Sequence, residues 1–261
     1  VESRASLEKE IRGGLKRREF LVYYQPQVDG DGRIQGVEAL ARWQHPQRGL
    51  LAPGVFIDLA ESSGLILSLG QQVLEIACDQ LAVWQADAAT RHLSISVNVS
   101  ARQFRQADFV ERIIGALKHA GANPVGLKLE LTESMMLEGV DGVIAKMQAL
   151  KQHGVVFSLD DFGTGYSSLA YLKRLPLDQI KIDQSFVRDA LLDNNDATIT
   201  RTVLALGETF GLSVIAEGVE TVAQHQFLEQ HGCKAFQGYL FGKPLPIETL
   251  TELLRDNGAI S

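Results

Sequence analysis

Apolar residues recur along this chain with two periods that exchange places at short intervals. Leu7, Ile11 and Leu15 return every four positions, which predicts an amphipathic helix after a frayed leader at Val1 to Ala5. Phe20 to Val28 and Ile34 to Trp43 read as strands, and Asp29-Gly30-Asp31-Gly32 between them carries turn chemistry. That link is too short for a crossover, so the first two strands are expected to run antiparallel. Regular alternation follows. Val73, Ala77, Leu81 and Trp84 form a helical stripe, Leu93 to Val99 a strand, and Phe109 to Ala120 a helix closed by Gly121. Leu127 to Leu131 is a strand, and Val140, Ile144, Met147 and Leu150 mark a helix ended by Gly154. A strand over Val155 to Asp160, a short helix over Leu169 to Leu175 and a strand over Gln179 to Asp183 come next. Ile199, Val203, Leu206 and Phe210 define a helix stopped by Gly211, before a strand over Leu212 to Glu217. Thr221 to His231 is a helix opened by a Thr-x-x-Gln capping box, Lys234 to Tyr239 a strand, and Ile247 to Arg255 the last helix.

Eight strands in one unbroken pattern predict a single α/β domain over residues 6–261, a TIM-like (β/α)8 barrel with an antiparallel first strand. An open doubly wound sheet is the alternative, but no Gly-x-Gly-x-x-Gly turn supports its dinucleotide-binding version. The 261 residues match the roughly 250 typical of such a barrel. No apolar run approaches the roughly 20 residues of a membrane span. A net charge of −7 argues against binding DNA or RNA polymers, which calls for a basic surface. Cys78 and Cys233 match no metal spacing, and two thiols in a chain of this length suit a reducing, cytoplasmic setting. No signal peptide is expected from these residues. The chain opens at Val1 rather than Met, as a segment of a longer protein would.

Barrel strands are expected to be apolar on both faces, yet several here carry one polar residue near the C-terminal end. Asn98 stands opposite the valines of its strand and Glu130 opposite the leucines of the next. Lys181 and Asp183 alternate with Ile180 and Ile182, Asp160 ends the fifth strand and Glu217 the seventh, Gln237 lies in the eighth, and Glu38 in the second. A closed barrel has no exposed edge for a lone carboxylate, and an unpaired buried one is costly. These groups therefore predict one site at the C-terminal mouth. Oxygen donors from Glu38, Asn98, Glu130, Asp160 and Asp161 suit Mg²⁺ or Mn²⁺. Lys181 among carboxylates is expected to be charged. Arg42, four residues after Glu38, is a candidate phosphate clamp. From this chemistry alone, an enolase-like barrel, with Mg²⁺ on acidic residues and a Lys base, is the competing reading. The six histidines show no metal motif and read as surface residues, and Tyr23, Tyr24 and Trp43 read as core more than as base platforms.

Asp160-Asp161-Phe162-Gly163-Thr164-Gly165-Tyr166-Ser167-Ser168-Leu169 follows a strand and precedes a helix. Two adjacent carboxylates repel each other, and a divalent cation relieves the repulsion. Neighbouring side chains of an extended backbone point apart, so each carboxylate can serve its own metal.

These residues carry a family resemblance. Tyr24-Gln25-Pro26, Glu38-Ala39-Leu40-Ala41-Arg42-Trp43, Asn98-Val99-Ser100, Glu130-Leu131-Thr132-Glu133, the Asp-Asp-Phe-Gly-Thr-Gly-Tyr loop, Lys181-Ile182-Asp183, Ala216-Glu217-Gly218-Val219-Glu220 and Gln237-Gly238-Tyr239 occur in order over nearly the whole chain. Together they resemble the EAL-domain cyclic-di-GMP phosphodiesterases. The resemblance implies hydrolysis of one phosphodiester of cyclic di-GMP to linear pGpG with two Mg²⁺ or Mn²⁺ ions. By similarity, Glu38, Asn98, Glu130 and Asp160 would hold one metal. Asp161 would hold a second, with Asp160 bridging and Asp183 assisting. Lys181 and Glu217 would handle the attacking water, and Gln237 would support Glu217 or the water. Gln25, Leu40 and Arg42 would face the substrate, and Glu133 would hold the Asp161 to Ser168 loop, which in this family links the site to a homodimer interface. Asp58 stands where the family often has Pro, away from the site. A catalytically weak receptor or scaffold is the alternative function, and the intact ligand set argues against it. The resemblance also implies a cytoplasmic signalling domain, with any regulatory segment outside these residues.

Overall fold

The computed structural model describes residues 4–136, 139–163 and 172–256. In chain order these form α1 (Arg4–Arg17), β1 (Phe20–Asp29), β2 (Ile34–His45), β3 (Gly49–Leu51), α2 (Ile57–Ser63), α3 (Ile66–Ala86), β4 (Ser94–Asn98), α4 (Ala101–Phe104), α5 (Phe109–Ala120) and β5 (Leu127–Thr132). There follow α6 (Val140–Lys151), β6 (Val156–Phe162), β7 (Gln179–Ile182), α7 (Gln184–Asp189), α8 (Asn194–Phe210), β8 (Ser213–Ala216), α9 (Val222–Gln230), β9 (Ala235–Gln237) and α10 (Ile247–Asp256).

The turn after β1 sets the topology. Asp29 Oδ1 accepts from the backbone N–H groups of Asp31 and Arg33, each at 3.0 Å. Gly32 takes φ 77°, and β2 returns antiparallel along β1 with Gln25 facing Glu38. β1 is also antiparallel to β9, while β2, β4, β5, β6, β7, β8 and β9 pair in parallel. The sheet thus closes into an eight-strand barrel whose first strand opposes both neighbours, and β3 hangs from β2 as a hairpin.

Helices cover the barrel because the strands' outward faces are apolar. Val37, Ile95, Val97, Leu127, Leu129, Phe157, Ile180, Ala216 and Phe236 are all buried in one core. At roughly 1.5–3 kcal/mol for each large side chain fully buried, this layer carries much of the stability. Punctuation follows the sequence: α5 and α8 end at left-handed Gly121 and Gly211, and α9 opens on the Thr221–Gln224 capping box.

Several expectations need correction. α1 already includes Arg4 and Ala5, where the sequence predicts a frayed leader. β3, α2, α4 and α7 were not predicted; at three to seven residues they are too short to display a period. The short helix expected from Leu169 lies outside the described residues up to Tyr171. His45 is not a surface residue: it is buried at the end of β2, its Nε2 3.0 Å from Glu10 Oε2, and its Nδ1 accepts from Gln47 and Arg48 N–H. His225 is half-buried, edge-on to Phe236 and Phe241. Tyr24 and Trp43 are core, as expected.

Candidate active site

The strand ends bring the predicted residues to one rim. Glu38 comes from β2, Asn98 from the end of β4, Glu130 from β5, Asp160 from β6 and Lys181 from β7, with Glu217 just past β8 and Gln237 closing β9. Lys181 is their common centre. Its side chain is 1% exposed, and Nζ bonds Glu130 Oε2, lies 2.5 Å from Glu217 Oε1, 3.3 Å from Asp160 Oδ1 and 3.6 Å from Glu38 Oε2. Four carboxylates from four different strands or strand ends therefore share one ammonium.

Burial alone would discharge this lysine, but Glu130, Glu217, Glu38 and Asp160 outweigh it and hold its pKa well above the ordinary value. The carboxyls divide according to their partners. Glu38 is buried too, yet Lys181, Gln237 and Asn98 pull its pKa below the usual range. Asn98 Nδ2 donates to Glu38 Oε1 and Gln237 Nε2 to Glu38 Oε2, each at 2.6 Å. Glu130 has less help: burial, with Glu38 and Asp160 nearby, raises it to about 7 in spite of Lys181. Burial and the same neighbours push Glu217 well above the ordinary value.

Asp161 is built differently from the expectation of plain extended alternation. Its backbone takes φ 54°, a left-handed conformation rare for a residue with a side chain, and the β6–β7 register slips between Leu159 and Phe162. The kink lets Asp160 Oδ1 accept the Asp161 N–H at 3.0 Å. Burial, Asp160 and Asp183, to which its side chain is hydrogen-bonded, raise Asp161 to about 6. Asp183 caps α7, where its Oδ1 accepts the Ser185 N–H at 2.9 Å.

The donor set fits a hard divalent cation. Every candidate ligand offers oxygen, and Glu130 Oε1 is buried with no hydrogen-bond partner. Among the described residues no three His, Cys, Asp or Glu groups form a ready-made cage; the Lys181 ammonium balances part of the acidic charge. Six carboxyl groups (Glu38, Glu130, Asp160, Asp161, Asp183 and Glu217) still outnumber it.

Other predicted residues fall as follows. Gln237 does not reach Glu217: its amide contacts Glu38, Gln25 and Gln27. Gln25 is buried, its Nε2 donating to the Gly242 carbonyl at 3.2 Å. Arg42 is half-buried, its guanidinium 5.5 Å over the Tyr23 ring, and Leu40 lies between it and Glu38 on the same strand face. Glu133 is buried after β5, and neither carboxylate oxygen has a hydrogen-bond partner among the described residues. Thr164 to Ser168 of the loop it was expected to hold lie outside those residues.

Sequence reasoning passed over a second polar layer beneath the site. Ser96, Lys128, Ser158 and Gln179 each precede Asn98, Glu130, Asp160 and Lys181 by two positions, so they share the inward face one step deeper. Lys128 Nζ donates to Gln179 Oε1 at 2.9 Å. The same period-two count that found the rim would have found them.

Comparison with known proteins decides the family. The EAL domain model matches residues 8–244. This chain belongs to the EAL domain family. Over 251 residues this EAL domain is 44% identical to the bifunctional diguanylate cyclase/cyclic di-GMP phosphodiesterase MucR of Pseudomonas aeruginosa, covering 96% of the chain and 36% of MucR. It is 42% identical to the cyclic di-GMP phosphodiesterase NbdA of the same organism, covering 95% of the chain and 32% of NbdA. The chain thus spans about a third of these curated relatives. A structure of the MucR phosphodiesterase in complex with c-di-GMP superposes with a TM-score of 0.90 at 45% identity, covering 94% of this chain and 99% of that one. The EAL enzyme Bd1971, in a form bound to cAMP and cyclic-di-GMP, gives 0.91 at 33% identity, covering 96% of this chain and 69% of that one. No described helix of the EAL domain is long and apolar enough to cross a membrane.

Proposed function

We infer that this EAL domain hydrolyses one phosphodiester of cyclic di-GMP to linear pGpG. The observation that carries the reading is the convergence of Glu38, Glu130, Asp160 and Glu217 on the Lys181 ammonium at the C-terminal rim. The names of MucR and NbdA, and the MucR complex with c-di-GMP, support the choice of substrate.

Excess carboxylate in a buried site calls for cations, and oxygen donors select Mg²⁺ or Mn²⁺. Glu38, Asn98, Glu130 and Asp160 would hold one ion; Asp161 would hold a second, with Asp160 bridging and Asp183 assisting. Such a pair, when bound, lowers the pKa of a shared water and neutralises charge on the phosphate and the leaving oxygen. The remaining work falls to the chain. Lys181 and Glu217, 2.5 Å apart, orient the attacking water. Glu217, its proton affinity raised by burial, takes the water's proton. Asn98 and Gln237 keep the Glu38 carboxylate in one orientation. At the rim Arg42 contacts a substrate phosphate, with Gln25 and Leu40 beside it. Glu133 holds the loop that begins at Asp161. We place the domain in the cytoplasm as a homodimer; sedimentation of the purified chain tests the dimer.

Incubation of the purified chain with cyclic di-GMP and Mg²⁺ or Mn²⁺, followed by product chromatography, tests the activity. The expected product is pGpG, and Glu38→Ala is expected to abolish it. Tight binding without product overturns the hydrolase in favour of a receptor, and near-normal turnover by Glu38→Ala removes Glu38 from the site.

A further inference from the structure

Gln27 holds no place in the proposed reaction. It is a buried glutamine on β1, 4% exposed, on the same inward face as Gln25 and one step deeper. Across the β1–β9 ladder it faces Gln237, just as Gln25 faces Glu38 across β1–β2. Its Nε2 donates to Gln237 Oε1 at 2.9 Å. Gln237 Nε2 in turn donates to Glu38 Oε2 at 2.6 Å and to Gln25 Oε1 at 3.1 Å. The Gln25 amide passes its own N–H to the Gly242 carbonyl at 3.2 Å.

The polarity of this row is dictated from one end. A carboxylate can only accept, so Gln237 must present its NH₂ group to Glu38. That leaves the Gln237 carbonyl facing Gln27, which must then donate. A glutamine amide has two nearly isosteric orientations, and the flipped one would set the Gln237 carbonyl against the Glu38 carboxylate. Glu38 and Gln25 accept from the Gln237 NH₂ group, and Gln27 adds the one donor to its carbonyl, so all three favour the observed orientation.

We propose that Gln27 is a positioning residue: by donating to Gln237 Oε1 it locks that amide in the orientation that holds Glu38 ready as a cation ligand. The proposal deepens the phosphodiesterase reading and rests on it for the part concerning turnover. Gln27 lies deeper than the rim residues Arg42 and Leu40, so its loss acts on Glu38 and not on substrate binding.

The test is a double-mutant cycle of Gln27→Met and Gln237→Met, read by calorimetric Mn²⁺ binding to the full chain without substrate and by kcat and KM for cyclic di-GMP. Gln27→Met keeps side-chain length and removes the donor. It is expected to weaken Mn²⁺ binding and lower kcat by about tenfold each, the loss of one buried hydrogen bond, with KM unchanged. The double variant is expected to match Gln237→Met alone, because Gln27 acts through that amide. Wild-type Mn²⁺ affinity in Gln27→Met, or full additivity of the two losses, overturns the proposal. Should the wild type not cleave cyclic di-GMP, the phosphodiesterase reading falls, while Mn²⁺ calorimetry still decides the role of Gln27. Should Gln27→Met not melt cooperatively, the wild-type protein decides instead. With ¹⁵N-labelled glutamine, the Gln27 and Gln237 side-chain amide protons are expected to exchange far more slowly than those of exposed Gln226. Equal exchange refutes the lock.

Discussion

Lys181→Met probes the charge balance of the site most directly. Methionine keeps the stem and most of the volume but removes the ammonium shared by Glu130, Glu217, Asp160 and Glu38. Removing one partner of a buried ion pair costs about 3–5 kcal/mol, because the other charge is left without compensation. Protonation offsets part of this, since Glu130 already sits at about 7 and Glu217 well above its ordinary value. The expectation at neutral pH is therefore near the lower end, about 3 kcal/mol. In a chain of this size that lowers the melting temperature by roughly 6–12 °C. The assay is thermal unfolding by circular dichroism in chelator. pH adds a signature. Glu130, at about 7, and Asp161, at about 6, bind more protons folded than unfolded. Chelated wild type is thus expected to hold the full contribution of these groups below about pH 4, and to lose it as pH rises from there through about 6 and 7. The variant is expected to lose stability more steeply over the same range. Mn²⁺ at a hundredfold excess over its dissociation constant restores about 2.7 kcal/mol. A chelated variant that melts with the wild type at pH 7.5 would refute the account of Lys181 as the charge-compensating centre.

Further outcomes follow from single contacts. Arg42→Ala is expected to raise KM for cyclic di-GMP roughly 10- to 100-fold, the worth of a charge-assisted hydrogen bond, with kcat little changed; an unchanged KM removes Arg42 from the substrate. Gly238→Ala would drive a Cβ into the Val219 backbone beside Gln237, so thermal melting is expected to show a loss of about 1–3 kcal/mol. A wild-type melt would mean that this close approach is not required. Glu133→Gln preserves shape and removes charge; it is expected to weaken Mn²⁺ binding in calorimetry without deleting a ligand, and wild-type affinity would dismiss its role in holding the loop.

The alternation of periods was enough to read the barrel, because long helices and buried strands repeat their apolar positions often enough to be counted. The antiparallel first strand was legible too, since Asp29 to Gly32 leaves no room for a crossover. The rim residues Glu38, Asn98, Glu130, Asp160 and Lys181 stood out because each breaks an apolar strand on its inward face. Short elements such as β3 and α7 stayed hidden for want of a repeat. The histidines misled because their environment is tertiary: His45 is buried by Glu10 from a helix 35 positions away.

Which residues come to the rim was therefore a property of the sequence; how they divide their labour was decided by the folded chain. Strand register and the left-handed turn at Asp161 determine which oxygen meets which donor. They placed Lys181 on four carboxylates, turned Gln237 to Glu38 instead of Glu217, and lined Gln27 up behind it. Hydrogen-bond partners and proton affinities depend on ångström distances and on water excluded by the surrounding strands, and neither is a function of position along the chain.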